Sequence, residues 1–485
     1  MTLKVAGARP CVLALKRRLA ETLARSRLDY TDDILILNAF LRDFREEQGA
    51  TPEEVRRSWE SLLRKGAPAA HAFSVYLHIP FCAKKCHFCY CATEVSTNEA
   101  LIGRYVPELK EEIAYYAALF DGMPARLLQV GGGTPNILSA ADLAELLRHV
   151  LESFRMEQDA MRVIEFNPAG STPEKLGIVR GAGFNRISFG VQSLNASVLA
   201  RENREYQTSE MTQDAVRWAK EAGFEVINVD LLLGLAGDTV DSFLDGFRKI
   251  AELRPTSIIV PGLTMTDAYM KVMGIGREEN LRHYEGMLDG ALEGMARLGR
   301  QYGYKTQGLT ANHGIWVLYA DDTPAAVLEK AIRSDHFRGG IFSVLGLGHH
   351  ARSIIFGEAV YERYPRRFSP GIALYRRTPM SRKEEMMRYI LYALENHSRV
   401  DDLKFRERFG LEIREEFALE LEALRVLGKI RMDQEGFVFL PMRGPERIFY
   451  GLFFLMDVLS QSPFSRGSLD ESFFRRLRQE LKVSL

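Results

Sequence analysis

Tyr76-Leu-His-Ile-Pro-Phe-Cys-Ala-Lys-Lys-Cys-His-Phe-Cys-Tyr-Cys91 holds four of the chain's five cysteines: Cys82, Cys86, Cys89 and Cys91. A three-residue gap followed by a two-residue gap lets one loop set three thiolates at three corners of an iron–sulfur cube. The fourth iron is then left without a protein ligand and can bind and reduce a substrate. Structural zinc is the usual competitor for close cysteines, but such sites pair two short knuckles about a dozen residues apart, and the sequence has no second knuckle. Disulfides fit less well, because a 485-residue chain with five cysteines has a core large enough not to need them and shows no secretory leader. Cys11 has no partner in sequence and reads as a buried or incidental thiol.

Outward from this loop, short apolar runs alternate with longer amphipathic ones. Candidate strands are Phe73 to His78, Leu127 to Val130, Val163 to Phe166, Ile187 to Gly190, Val226 to Leu233 and Ser257 to Val260. Helix-like stretches such as Tyr105 to Leu119 and Ala140 to Phe154 lie between them. Strands separated by helices imply an α/β fold with a parallel sheet and right-handed crossovers. In such folds chemistry sits at the carboxyl ends of the strands, and marked residues fall there. Gly131-Gly-Gly-Thr-Pro135 follows the second strand, Glu165 ends the third and Gln192 follows the fourth. Arg204 lies in Glu202-Asn-Arg-Glu205, and Asp230 is inside the apolar run Ile227 to Leu233. A carboxylate in so apolar a strand is costly unless it is paired or bound to a ligand.

The cysteine spacing, the glycine run and these strand-end residues together resemble the radical S-adenosylmethionine (SAM) superfamily, and within it the group around oxygen-independent coproporphyrinogen III oxidase. The match is good from about Ser74 to Asp238 and holds in outline elsewhere. It implies a partial (β/α)6 barrel, in which Cys82, Cys86 and Cys89 ligate a 4Fe–4S cluster and SAM chelates the open iron. By the same resemblance two SAM molecules bind: Tyr76, Phe88, Gly132 and Glu165 match positions around the cluster-bound one. Gly133, Thr134, Gln192, Arg204 and Asp230 match positions around the second. Cys91 has no ligand role in that scheme. A flavodoxin- or ferredoxin-like electron donor is the partner it implies.

The resemblance leaves a fork. In the oxidase, hydrogen abstraction from propionates and decarboxylation give vinyl groups. In class C radical SAM methyltransferases, hydrogen is taken from the second SAM and a methyl group is added to an unsaturated carbon. Two substrate-side segments depart from the oxidase. Its Tyr-Thr-Ser-Tyr-Pro type string is replaced by Ser61 to Phe73, and its Asp-His-Phe-Ala segment by Lys305-Thr-Gln-Gly-Leu-Thr-Ala-Asn-His313. His313, like Asp230, is a candidate catalytic residue, as a general base or pocket liner. Ile448-Phe-Tyr-Gly-Leu-Phe-Phe-Leu-Met456 reads first as a core helix; an outward-facing part would suit a lipophilic substrate at a membrane surface. These departures favour methylation of an aromatic or quinone ring, menaquinone-like, over decarboxylation of a tetrapyrrole. A haem-handling protein is a third reading, ranked last because its relatives usually lack the Cys89-Tyr-Cys91 ending.

Four regions are expected: a helical amino-terminal segment (1–70), the barrel (71–312), a connecting region (313–380) and a winged-helix-like lid (381–485). Thr51-Pro52-Glu53-Glu54 is a capping box with proline at the first helical position. Gly346-Leu-Gly-His-His-Ala-Arg352 reads as a loop whose histidines line the site or cap a turn. The arginines between Tyr361 and Arg377 read as a solvated basic linker. Lys plus Arg equals Asp plus Glu at 64 each, so no global field favours nucleic acid or an anionic membrane. No apolar run reaches the ~20 residues of a membrane span, and a cytoplasmic enzyme is expected.

Overall fold

The structure, a computed structural model, describes residues 10–26, 48–64, 73–307, 315–335, 342–395, 399–440, 442, 444–460 and 465–485. His313 lies outside the described residues. The chain forms two compact units: residues 47–309 with 315–381, and residues 1–46 with 310–314 and 382–485.

In the first unit β1 is Gln48–Ala50, β2 Phe73–Ile79, β3 Phe81–Cys82, β4 Glu94–Val95, β5 Ala125–Gly132 and β6 Met156–Phe166. They are followed by β7 Arg186–Gln192, β8 Val226–Leu231, β9 Ser257–Pro261, β10 Tyr304–Gln307 and β11 Ile315–Ala320. The last four are β12 Ser343–Leu347, β13 Arg352–Ile355, β14 Ala359–Arg363 and β15 Tyr375–Pro379. All six strands expected from the apolar runs are present. One sheet runs β1-β15-β14-β13-β12-β2-β5-β6-β7-β8-β9-β11-β10. β12 through β9 are parallel, and the antiparallel strands at both ends leave the sheet open. Crossover helices begin on side-chain caps: Ser139, Thr172, Thr208 and Thr239 each accept from a backbone N–H in the first turn. Each such cap is worth about 1 kcal/mol.

The expected capping box forms, with Thr51 N–H donating to Glu54 at 2.7 Å and Glu54 N–H to Thr51 Oγ1 at 3.3 Å. The helix it opens, Pro52–Arg64, belongs to this unit. Trp59 meets Phe120 edge-on at 5.0 Å, and Phe120 stacks on Phe73 at 4.1 Å. The expected connecting region supplies β11 to β15. Its arginines divide: Arg366 and Arg367 are exposed, as a solvated linker would have them, whereas Arg363 is fully buried and lies 3.4 Å from Glu112 and 3.6 Å from Glu108, and Arg376 pairs with Glu362, as does Arg352 before the stretch. A guanidinium carried on a buried strand needs carboxylate partners, and these glutamates supply them.

The second unit packs helix Pro10–Arg25 into the same core as the carboxyl-terminal helices through Leu15 and Leu19. The described parts of residues 1–70 are thus divided between two cores: Pro10–Arg25 belongs to this unit, and Gln48–Ala50 and Pro52–Arg64 to the first. A hairpin joins Ile430–Met432 to Gly436–Phe439, extended to three strands by Arg399–Asp401. Ile448, Phe449, Tyr450 and Leu452 to Met456 are all buried in this core. The apolar stretch is therefore interior packing and presents no outward apolar face to a membrane surface. No helix among the described residues is long and apolar enough to cross a membrane.

Candidate active site

The glycine run is where sheet and cysteine loop meet. Gly133 N–H donates to the Ile79 carbonyl at 2.7 Å and Thr134 N–H to the Phe81 carbonyl at 2.8 Å, so the end of β5 is fastened to the start of the loop. A Cβ on Gly133 would lie 2.5 Å from the Phe81 carbonyl oxygen, and only glycine permits that approach. Gly132 has φ +108° and leaves room for the His78 ring.

Each cysteine of the loop has a distinct neighbour. Cys82 Sγ is 3.2 Å from Thr134 Oγ1. Cys86 is buried, and Arg204 Nη1 donates to its sulfur at 3.3 Å. Burial pushes the Cys82 thiol up, with Thr134 opposing. Hydrogen bonding to Cys91, reinforced by burial, pushes Cys89 up. Loading iron displaces such thiol protons. Among the described residues no three His, Cys, Asp or Glu side chains are grouped to hold one metal ion. Thiolates that each take a different iron of a cube need not converge on one point, whereas ligands of a structural zinc must. Three soft thiolates on one glycine-backed loop fit the cluster.

Residues 201–207, placed by the short helix Ala196–Arg201, hold the far side of the loop. His87 N–H donates to the Glu202 carbonyl at 3.1 Å, and Asn203, left-handed at φ 57°, donates to the Lys85 carbonyl at 2.9 Å. Arg204 is buried and fixed by Gln207 Oε1 at 2.9 and 3.1 Å and by the Gly190 carbonyl. Glu202 is fully buried, and one carboxylate oxygen accepts from Tyr269 at 2.8 Å. Burial raises its pKa.

Across one face of the parallel sheet runs a row of polar side chains near the strand ends. Tyr76 lies beside Gln129, Glu165 beside Ser188, Ser188 beside Asn228 and Asn228 beside Ser257. Gln129 donates to Glu165 at 2.6 Å, Ser188 to Asp230 at 2.9 Å and Asn228 to Asp230 at 2.8 Å. Asp230 is therefore a paired carboxylate, and a bound ligand is not required to explain its presence in an apolar strand. Gln192 sits at a bulge with φ 69°, a strained conformation for a non-glycine residue. Tyr76 Oη is 3.0 Å from His78 Nδ1. Burial lowers the His78 pKa to about 4, so this pair is neutral near pH 7. The structure thus brings Tyr76, Gly132, Gly133, Thr134, Glu165, Gln192, Arg204 and Asp230 to the carboxyl-end side of one sheet, with the loop bearing Phe88 against it.

Sequence reasoning missed Ser188 and Asn228, although Asn228 and Asp230 alternate on one strand face and so could have been read together. It also missed Glu202, Tyr269 and the partners of His349, which no local pattern reveals.

This sheet, with a three-cysteine loop at its carboxyl ends, defines a radical SAM protein, and residues 76–273 match the model of the radical SAM superfamily. That class uses a 4Fe–4S cluster and SAM. The oxygen-independent coproporphyrinogen III oxidase of Escherichia coli K12 is 30% identical over 376 residues, covering 75% of this chain and 81% of that protein. The Pseudomonas aeruginosa protein of the same name is 28% identical over 394 residues, covering 77% and 83%. The solved coproporphyrinogen III oxidase of Escherichia coli superposes with a TM-score of 0.67 at 26% identity, covering 85% of this chain and 94% of that one. The chain belongs to the oxygen-independent coproporphyrinogen III oxidase family. The ranking of methylation over decarboxylation, drawn from the divergent substrate-side segments, is reversed by these relatives, all of which are named oxidases.

Proposed function

We propose that this chain is a radical SAM enzyme of the oxidase type: a hydrogen atom is taken from a tetrapyrrole propionate, carbon dioxide leaves, and the one electron left over passes to a one-electron acceptor, giving a vinyl group. The observation that carries this reading is the extent of the likeness: it covers 81% of the Escherichia coli enzyme, well beyond the 76–273 segment common to the superfamily. A cytoplasmic setting and a flavodoxin- or ferredoxin-like donor belong to the same proposal.

Cys82, Cys86 and Cys89 would hold the cluster, which with SAM supplies a hydrogen-abstracting radical when reduced. Arg204, which donates to Cys86 Sγ, would draw electron density from that sulfur and so favour the reduced state of a bound cluster. Thr134 positions Cys82. Glu165, held by Gln129, would face one SAM, and Asp230, held by Ser188 and Asn228, would face the other, each presenting a pre-oriented hydrogen-bond acceptor. Pre-set acceptors of this kind need no reorganisation when the ligands enter.

Methylation is the second reading, favoured by one observation: Lys305 to His313 lacks the aspartate of the oxidase's Asp-His-Phe-Ala segment. The test is product analysis. Anaerobically reconstituted enzyme is given reductant, methyl-labelled SAM and either coproporphyrinogen III or a menaquinone. Carbon dioxide with 5′-deoxyadenosine from coproporphyrinogen supports decarboxylation. S-adenosylhomocysteine with a labelled quinone and no carbon dioxide overturns it.

A further inference from the structure

The cysteine loop is closed at its base by very little regular structure. β3 and β4 pair only through Phe81 with Glu94 and Cys82 with Val95, and so short a ladder is marginal by itself. Directly beside it stands His349, in the turn after β12 and 255 residues from Glu94 in sequence. Its Nδ1 is 3.1 Å from Glu94 Oε1, on the strand that returns from the loop. Its Nε2 is 3.2 Å from Glu108 Oε1, on the helix Glu99–Ala117. Both partners are carboxylates, which accept, so both ring nitrogens must donate, and only the imidazolium has two N–H groups.

The same residue also reaches the entry to the loop. His349 N–H donates to Tyr105 Oη at 3.1 Å, and Tyr105 Oη donates to the His78 carbonyl at 2.7 Å, two residues before Pro80. One side of the loop is thus tied through the His349 backbone and the other through its ring.

The surroundings hold this arrangement in place. Glu108 also accepts from Phe368 N–H at 2.9 Å. Arg363 lies against both Glu108 and Glu112, and Glu112 accepts from Tyr375 at 2.9 Å. The charged and titratable groups facing His349 are therefore Glu94 from β4, Tyr105, Glu108 and Glu112 from the helix, and Arg363 from β14. His350 and His78 complete the set, with Glu362 and Lys85 bearing on His350. Burial alone would lower the His349 pKa; the bonds to Glu108 and Glu94 outweigh it and raise it. The ion pairs here are a closed network and not a metal site, since no group of three ligating side chains is found among the described residues.

We propose that His349 is a positioning residue that clamps the cluster loop by bridging Glu94 to Glu108. The clamp is complete at and below the ordinary imidazole range, and it opens as pH rises through the raised value, when one carboxylate loses its donor. It deepens the radical SAM reading by assigning control of the loop to a residue outside the 76–273 segment, yet its first test needs no cluster.

Amide hydrogen exchange of the cluster-free chain between Cys82 and Glu94 is measured for the wild type, His349→Gln, Glu94→Gln and the double variant, from pH 6 to 9. Rates are corrected for intrinsic exchange. His349→Gln should speed exchange in this loop about tenfold at pH 6, as loss of a charge-assisted bond implies. Wild-type protection should fall toward the variant's as pH rises, and the double variant should be no worse than either single one. After reconstitution, loss of the iron–sulfur absorbance to a chelator should follow the same order. Equal protection in wild type and His349→Gln, multiplicative effects in the double variant, or loss of protection spread evenly over the whole unit would each overturn the clamp.

Discussion

Gly133→Ala tests whether the glycine run is a docking surface for the cysteine loop or a plain turn. The new Cβ would stand 2.5 Å from the Phe81 carbonyl oxygen and 2.9 Å from that of Ile79. Both are backbone atoms of the strand-to-loop junction, so nothing flexible can give way. Relief requires the loop to move off the end of β5, which breaks the 2.7 and 2.8 Å bonds from Gly133 and Thr134. Two bonds at about 1 kcal/mol each and overpacking of about 1–3 kcal/mol predict a loss of roughly 3–5 kcal/mol. Gly131→Ala is the internal control. There the Cβ meets the carboxylate end of Glu165 at 2.6 Å, a side chain that can rotate away, so the cost should stay below about 1.5 kcal/mol. The assay is urea unfolding of the cluster-free chain followed by tryptophan fluorescence. All three tryptophans, Trp59, Trp218 and Trp316, lie in the unit that carries the site, so the signal reports that unit. A Gly133→Ala loss below about 1 kcal/mol, or one equal to that of Gly131→Ala, would refute the docking argument.

Three further outcomes follow from buried charge. Arg363→Met leaves Glu112 buried without its cation and should cost about 3–5 kcal/mol in the same assay, with Glu112→Gln on top restoring much of it. His78 has its folded pKa depressed to about 4, so the unfolded chain binds its proton first as pH falls. Its share of stability is present above pH 6.5 and is lost between there and about 4, roughly 3 kcal/mol in all; His78→Gln should flatten that part of the profile. Glu202 has its pKa raised by burial, so it favours folding at low pH and opposes it once pH passes the raised value. Glu202→Gln should therefore stabilise the protein at pH 8 relative to pH 5, and an unchanged pH profile in thermal melts would count against this reading.

The six parallel strands were legible because each is a buried apolar run, and burial on both faces is what a parallel sheet demands. The cysteine spacing and the glycine run were legible for the same local reason: close approach and ligation write themselves into neighbouring residues. Pairing between distant segments was not. Nothing in Ser343 to Leu347 announces that it lies beside β2, and Arg363 looks like one of several linker arginines until Glu108 and Glu112 face it. The Ile448–Met456 stretch shows the converse: its composition allowed a surface or a core, and only packing in the second unit decides for the core.

The central claim is that Cys82, Cys86 and Cys89, and not Cys91, hold a 4Fe–4S cluster with an iron open to SAM. Each cysteine is replaced in turn by alanine, the protein is reconstituted anaerobically and reduced, and the electron paramagnetic resonance spectrum is recorded before and after SAM is added. The account predicts a cluster signal that shifts with SAM in the wild type and in Cys91→Ala, and no such signal in the other three. A SAM-responsive cluster surviving in Cys82→Ala, Cys86→Ala or Cys89→Ala, or its loss in Cys91→Ala, would contradict it.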